Sequence, residues 1–192
     1  MPAFDMQVLT SSSTSRYIHS QTETNVTITY STEDEEDFGV IDSVIKKFIS
    51  NTENKRRIIG FDTWRRNSGS CDNPIRGIAL SDGKTCLICQ LWSFKAIPTS
   101  LSNFLSLSSF TFVSSGVKFS RKKLEADYGL GIRNVVEMGQ YTPVNIRTPV
   151  RVESLVSERW DVHILNADQI TYITWNACYY FLSLSQKYSG MT

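Results

Sequence analysis

At roughly 100–200 residues per domain, a chain of 192 residues is one globular domain with a short tail, which excludes a multidomain machine. Its 41% hydrophobic and 20% charged composition, with 10 Phe, 8 Tyr and 4 Trp, supplies one substantial core and excludes wholesale disorder. With 20 Lys+Arg against 19 Asp+Glu the net charge is +1, so no global field announces a nucleic-acid or membrane binder, and any polyanion site has to be a local patch.

No stretch approaches the ~18 uninterrupted apolar residues of a membrane span. The start MPAFDMQVLTSSS has neither a basic region nor an apolar one, so the expected location is the cytoplasm or nucleus, without secretion and without a membrane partner. Four cysteines, Cys71, Cys86, Cys89 and Cys178, form no dense disulfide pattern, and two histidines are too few for a metal cage beside them. A reducing compartment is the simpler reading. The sequon Asn25-Val26-Thr27 is then a chance match.

In chain order, residues 1–15 read as an N-terminal tail, 16–187 as the domain and 188–192 as a C-terminal tail. Residues 16–30, rich in Thr, Val, Ile and Tyr, fit two short strands in a hairpin. The acidic run 31–37 precedes Phe38, Ile41, Val44, Ile45, Phe48 and Ile49, which recur at helical spacing, with Lys46-Lys47 near the favourable end of the dipole. The run itself is the solvated start of that helix. IIGFDTW has the pattern of a buried strand carrying one acid, Asp62, near its end. IRGIALS and KTCLICQLW then flank the turn Ser81-Asp82-Gly83-Lys84, which makes a three-stranded antiparallel meander over 58–92. Cys86 and Cys89 resemble a CxxC pair, but an offset of three on a strand sends the two thiols to opposite faces.

Pro98 opens a short helix through Leu101, Phe104 and Leu105, FTFVSSG returns as a strand, VKFSRKKLEADYGL is a helix stopped by Gly129, and IRNVVEM is another strand. Strand-helix-strand units after a meander predict an α/β domain, with mixed α+β character, built on one mixed sheet with helices on both faces. Residues 140–148 are irregular, 150–157 have a helical pattern, and a last helix spans about 168–187, capped by Asn166 with Gln169 three residues on. Trp160, Val162 and Ile164, in the proline-interrupted segment before it, are either apolar surface for an oligomer contact or a loop packed on the core.

The succession IIGFDTW, NPIRGIALSDGKTCLICQLW, IPTSLSNFLS, FTFVSSGVKFSRKKLEADYGL, NVVEMGQ and LNADQITYITWNACYYF resembles the plant proteins that carry a Werner-syndrome-like 3′-5′ exonuclease domain. These are DnaQ-like, DEDD-type exonucleases of the ribonuclease H-like superfold, and the resemblance covers about residues 16–187. It implies that fold, a two-metal phosphoryl displacement with Mg2+ or Mn2+, single-stranded nucleic acid as partner, and ring-forming homo-oligomers.

That chemistry needs four carboxylates converging on two cations. The first motif of the family is Asp-x-Glu followed by Trp; here Asp62-Thr63-Trp64 keeps the Asp and lacks the Glu, so either one residue has been deleted or Trp64 stands in the acid's place. The second motif's Asp corresponds to Ser120. The third, Tyr-x-x-x-Asp, becomes Tyr172 to Asn176, which helical spacing stacks on one face. One acid of four leaves Asp62 a weak metal contact at best, so no cofactor is expected, and Mg2+ or Mn2+ would serve only a residual activity.

Three readings follow from the resemblance. The preferred one is a catalytically degenerate protein that binds single-stranded nucleic acid, RNA favoured, or assists an active relative. Arg65, Arg66, Arg121 and Lys122 would grip phosphates, while Trp64 and Tyr172 would stack bases, against the plain alternative that these cations are a solvated face. The second is an active nuclease whose missing acids come from another loop, Asp72 for example, or from a neighbouring subunit. The third reuses the vacated cleft of Trp64, Ser120, Tyr172 and Asn176 for a small molecule or a protein partner.

Overall fold

The computed structural model describes residues 6–9, 12–19, 22–29, 38–66, 73–139, 159–160, 162 and 164–189, with side chains described from Phe38 onward. Strand β4 (Ile58–Arg65) is the centre around which the other elements are arranged. It pairs antiparallel with β5 (Ile75–Ser81), which pairs antiparallel with β6 (Thr85–Cys89). On its other side β4 runs parallel to β7 (Thr111–Ser114), and β7 parallel to β8 (Val135–Glu137). These five strands, in the order β6-β5-β4-β7-β8, make the mixed sheet, and the meander over 58–92 is as the sequence predicts.

Three further strands extend the sheet beyond β6. They are β1 (Met6–Leu9), β2 (Ser12–His19) and β3 (Thr22–Thr29), with β3 running parallel to β6, for eight strands among the described residues. The hairpin expected in 16–30 is present as β2 and β3, paired from Ser12–Thr29 to His19–Thr22. It starts earlier than the sequence reading places it: β1 and the first residues of β2 fall within 1–15, the stretch read as a tail. The first residues of β2, Ser12, Ser13, Thr14 and Ser15, are mostly serine, which carries none of the strand signal of the Val, Ile and Tyr that follow.

Helices α1 (Gly39–Ser50), α2 (Thr99–Leu105) and α3 (Val117–Tyr128) lie on one face of the sheet, and α4 (Ala167–Ser189) on the other. On the first face Ile41, Val44, Ile45 and Phe48 of α1 meet Ile59, Phe61, Ile78, Leu80 and Leu87 of the strands. The Phe48 and Phe104 rings stack at 5.6 Å between α1 and α2. The α4 face collects the alternate strand residues, Ala79, Cys86 and Ile88, with Ile170, Ile173 and Ala177 of the helix. Strand alternation thus splits Cys86 from Cys89, one thiol in each core, as the offset of three requires.

Particular side chains fix the joints. Asn54 is buried and acts as an extra strand partner for Ile58, donating to its carbonyl at 2.7 Å and accepting from its N–H at 3.0 Å. Asp82 builds the β5–β6 turn by accepting from the N–H groups of Lys84 and Thr85 at 3.0 and 2.8 Å. The predicted cap of α4 is present in reciprocal form: Gln169 N–H donates to Asn166 Oδ1, and Asn166 N–H to Gln169 Oε1, both at 2.9 Å. Trp160 is 9% exposed and belongs to the α4-side core, with Val162 against it, so the packed alternative holds for these two residues rather than an apolar surface. Ile164 alone of the three is exposed. The acidic run 31–37, the pattern over 150–157, Cys71 and Asp72 lie outside the described residues.

Candidate functional site

Asp62 sits on β4 opposite Ala79, with its side chain toward α4. Its Oδ2 accepts from Asn176 Nδ2 at 2.7 Å, and its Oδ1 from the N–H of Thr63 at 2.9 Å. A carboxylate only accepts, so the amide nitrogen of Asn176 has to face it. Burial pushes the Asp62 carboxyl up to about 6 from the ordinary 3.8, against the opposing pull of the bonds from Asn176 and Thr63. One turn beyond Asn176, Tyr180 has its hydroxyl pushed up, first by burial and then by the nearby charge of Asp62.

Two residues beyond Asp62, Trp64 points to the same side of the sheet. It is 7% exposed and lies among Trp160, Leu165, Ile170 and Ile173, across from Gly77. A β-carbon on Gly77 would stand 2.0 Å from the Trp64 ring, so the glycine is what admits the indole. A base-stacking role does not suit a Trp64 that is this little exposed and packed in the α4-side core. Tyr172 is partly buried, its ring tilted by 58° against Trp160 at 6.2 Å.

Ser120 is elsewhere. It is buried on α3, and its hydroxyl is 3.0 Å from that of Thr63, whose side chain leaves β4 on the opposite side from Asp62. Helix α3 is held in this position at both ends. Glu137, at the end of β8, accepts from the N–H groups of Gly116 and Val117 at 2.7 and 2.8 Å and so caps the helix with a distant carboxylate. Near its other end Asp127 accepts from the N–H of Ile75 at 2.9 Å, Tyr128 donates to the carbonyl of Ile75, and Lys123 is paired with Asp127 at 3.0 Å.

The cations gather on this second side. The Arg65 guanidinium lies 3.8 Å from the centroid of the Phe119 ring, and Arg121 and Lys122 are exposed on α3. Val117, Lys118, Phe119, Arg121, Lys122 and Glu125, with Val135 of β8, line a groove of about 570 Å³. Its walls do not include Asp62 or Asn176. Arg66 is exposed at the end of β4. The structure therefore brings Asp62, Asn176, Tyr172 and Trp64 together on the α4 side, and Arg65, Arg121 and Lys122 on the α3 side, with Ser120 bonded to Thr63 between them. Sequence reasoning missed Phe119, Glu137 and Tyr180. Phe119 was legible as an aromatic inside a basic run, whereas Glu137 meets α3 only through the β7–β8 register.

The two-metal chemistry of the resemblance finds no matching donor set. Among the described residues no three His, Cys, Asp or Glu side chains stand close enough to hold an ion. Asp62 Oδ2 accepts from the amide N–H of Asn176, and Trp64, two residues on, offers an indole and no oxygen.

No protein-family profile matches the sequence, and no curated protein matches it. Solved structures do. The catalytic core of RRP6 from Trypanosoma brucei superposes with a TM-score of 0.61 at 11% identity, over 79% of this chain and 44% of that one, so the chain spans less than half of that core. NrnC of Brucella melitensis, bound to pGG, superposes with a TM-score of 0.53 at 17% identity, over 71% of this chain and 74% of that one. The chain thus has the ribonuclease H-like fold that these structures share.

Proposed function

We propose that this chain is a catalytically degenerate exonuclease-like domain of the Werner-like kind, which binds single-stranded nucleic acid, RNA favoured, or assists an active relative. The observation that carries the reading is the state of the four acid positions: Asp62 hydrogen-bonded to Asn176, Trp64 in the core, Ser120 bonded to Thr63. In-line displacement needs charge that offsets cation dehydration, and one carboxyl of raised pKa in an apolar wall offers little of it. The binding half of the reading rests on the α3 groove, where Lys118, Arg121 and Lys122 present cations at helical spacing beside the Arg65–Phe119 pair. Such a surface suits a flexible phosphate backbone, with sequence-tolerant contacts.

The test is a degradation assay on 3′-end-labelled single-stranded RNA and DNA with Mg2+ or Mn2+, beside an Asp62→Ala control, with binding recorded at two salt concentrations. The reading expects binding that weakens with salt and no metal-dependent shortening. Shortening that disappears in Asp62→Ala would overturn it and send the search for acids to Asp72 or a second subunit. Neither binding nor shortening would move the weight to a small-molecule or protein ligand of the altered cleft.

A further inference from the structure

The α4 side of the sheet carries a feature outside the candidate site. Cys86 of β6 is buried on this face, and Cys178 of α4, two residues past Asn176, is partly exposed; neither is in a disulfide. In the β5–β6 register Cys86 stands directly opposite Ser81. Directly opposed residues on one face of an antiparallel pair hold their β-carbons about 4.5–5.5 Å apart. The Sγ of Cys178 is 3.2 Å from the Oγ of that same Ser81. Two sulfurs, from elements 92 residues apart in sequence, therefore flank one hydroxyl.

Helix α4 also lies low enough over the sheet for a bond. A β-carbon on Gly60 would stand 2.0 Å from the carbonyl oxygen of Ala177 and 2.5 Å from the amide nitrogen of Phe181, so the helix backbone touches the strand at the turn that carries Cys178. A disulfide needs α-carbons within about 4.4–6.8 Å. Gly60 is paired with Ser81 and Ser81 with Cys86, so the close approach of the helix falls on the row of strand residues that includes Cys86.

We propose that Cys86 and Cys178 form a reversible disulfide that staples α4 to β6 under oxidising conditions. With a low-molecular-weight disulfide such as glutathione disulfide as oxidant, the thiolate of the partly exposed Cys178 attacks one glutathione sulfur. The first glutathione leaves as a thiolate and Cys178 becomes a mixed disulfide. The Cys86 thiol then loses its proton, attacks the Cys178 sulfur and expels the second glutathione thiolate. Two protein thiols have given up two protons and two electrons, and one glutathione disulfide has become two thiols. Burial, followed by the proximity of Cys178, pushes the Cys86 thiol up, which makes the closing step the slow one. The staple would fix the helix wall that holds Asn176 against Asp62.

The test is incubation of the full chain with glutathione disulfide, followed over hours by thiol alkylation and peptide mass mapping, with thermal unfolding of the same samples. The expected course is early glutathione addition at Cys178, then a Cys86–Cys178 cross-linked peptide, with a raised Tm that dithiothreitol reverses. Cys178→Ser should lose the cross-link and the Tm rise. Cys86→Ala should stop at the mixed disulfide, and if that buried substitution impairs folding, Cys178→Ser carries the comparison alone. A mixed disulfide at Cys178 that never closes in the wild type, or a cross-link that joins Cys71 or Cys89 instead, overturns the proposal.

Discussion

The two faces of β4 end differently, one in packed neutral groups around a single carboxyl and the other in exposed cations. Toward α4, the Asp62 carboxylate accepts from the Asn176 amide and the Trp64 indole is packed among core side chains. Toward α3, Thr63 meets Ser120 while Arg65 covers Phe119 beside exposed cations. Both faces are core along most of the strand, with Ile59 and Phe61 under α1–α3 on one side and Ile58 and Trp64 under α4 on the other. They differ near Arg65, where Arg121 and Lys122 stay in solvent on the α3 side.

The largest way to break this contrast is Trp64→Ala. The indole is nearly buried and fills the space that Gly77 leaves, so its loss opens a cavity in the α4-side core. Truncations of this type cost about 3–5 kcal/mol, and urea unfolding should show that loss. Nucleic-acid binding by the folded fraction should stay as it was, since Trp64 is nearly buried and lies away from the α3 groove. A variant that keeps its stability and loses binding would reverse the assignment of the two faces.

Asp62→Asn tests the same wall through pH. The folded-state value of about 6 against the ordinary 3.8 means that the native protein holds this proton more tightly than the unfolded chain. The resulting stability is fully present below about pH 3.8, declines as pH rises and is gone above about pH 6. Two pKa steps correspond to at most about 3 kcal/mol. The Asn variant, neutral throughout, should lack this contribution to the slope of stability between pH 4 and 6 and should be the more stable form at pH 7. Equilibrium unfolding across that range measures both effects. A cation bound at Asp62 would hold the carboxyl ionised, so a slope that vanishes in millimolar Mg2+ would contradict the closed wall.

Gly60→Ala is expected to cost about 1–3 kcal/mol, because the added carbon meets helix backbone, which cannot turn aside as a side chain can. The loss should appear in urea midpoints, and amide exchange should show it concentrated in α4. Unchanged stability would mean that α4 does not lie as low over β4 as drawn, and the disulfide proposed at Cys86 and Cys178 would lose its geometric support with it.

How far the sequence carried this picture depends on the range of the interactions involved. The meander, α1, α2, α3 and the Asn166–Gln169 cap are written in patterns a few residues long, and all appear where the periodicities place them. Asp62 and Asn176 were legible as motif positions, although 114 residues of chain separate them. What no local pattern could say is which side of β4 each candidate would join. Arg65 and Trp64 are neighbours in sequence, yet strand alternation sends one to Phe119 and the other to Trp160. Reading both as parts of a single cleft therefore merged two surfaces. The Glu137 cap on α3 and the low seat of α4 over Gly60 follow from sheet register, which needs the assembled strands.

The smallest expected effect is the one that bears most directly on function. Arg121→Ala with Lys122→Ala removes two exposed cations from the α3 groove, and exposed side chains making no core contact should leave stability within about 0.5 kcal/mol of wild type. If the backbone of a single strand runs along this groove, each lost phosphate contact removes about 0.7 from the slope of log affinity against log salt. The double variant should then bind about tenfold more weakly at moderate salt and show a slope shallower by about 1.4, as read by fluorescence anisotropy on labelled single strands. Phe119→Leu separates stacking from charge: it removes the ring under Arg65 without changing net charge, so it should weaken binding at every salt concentration and leave the slope alone. A double variant that binds as tightly as wild type, with the slope unchanged, would mean that α3 is a solvated face like any other and that a strand, if bound, lies elsewhere.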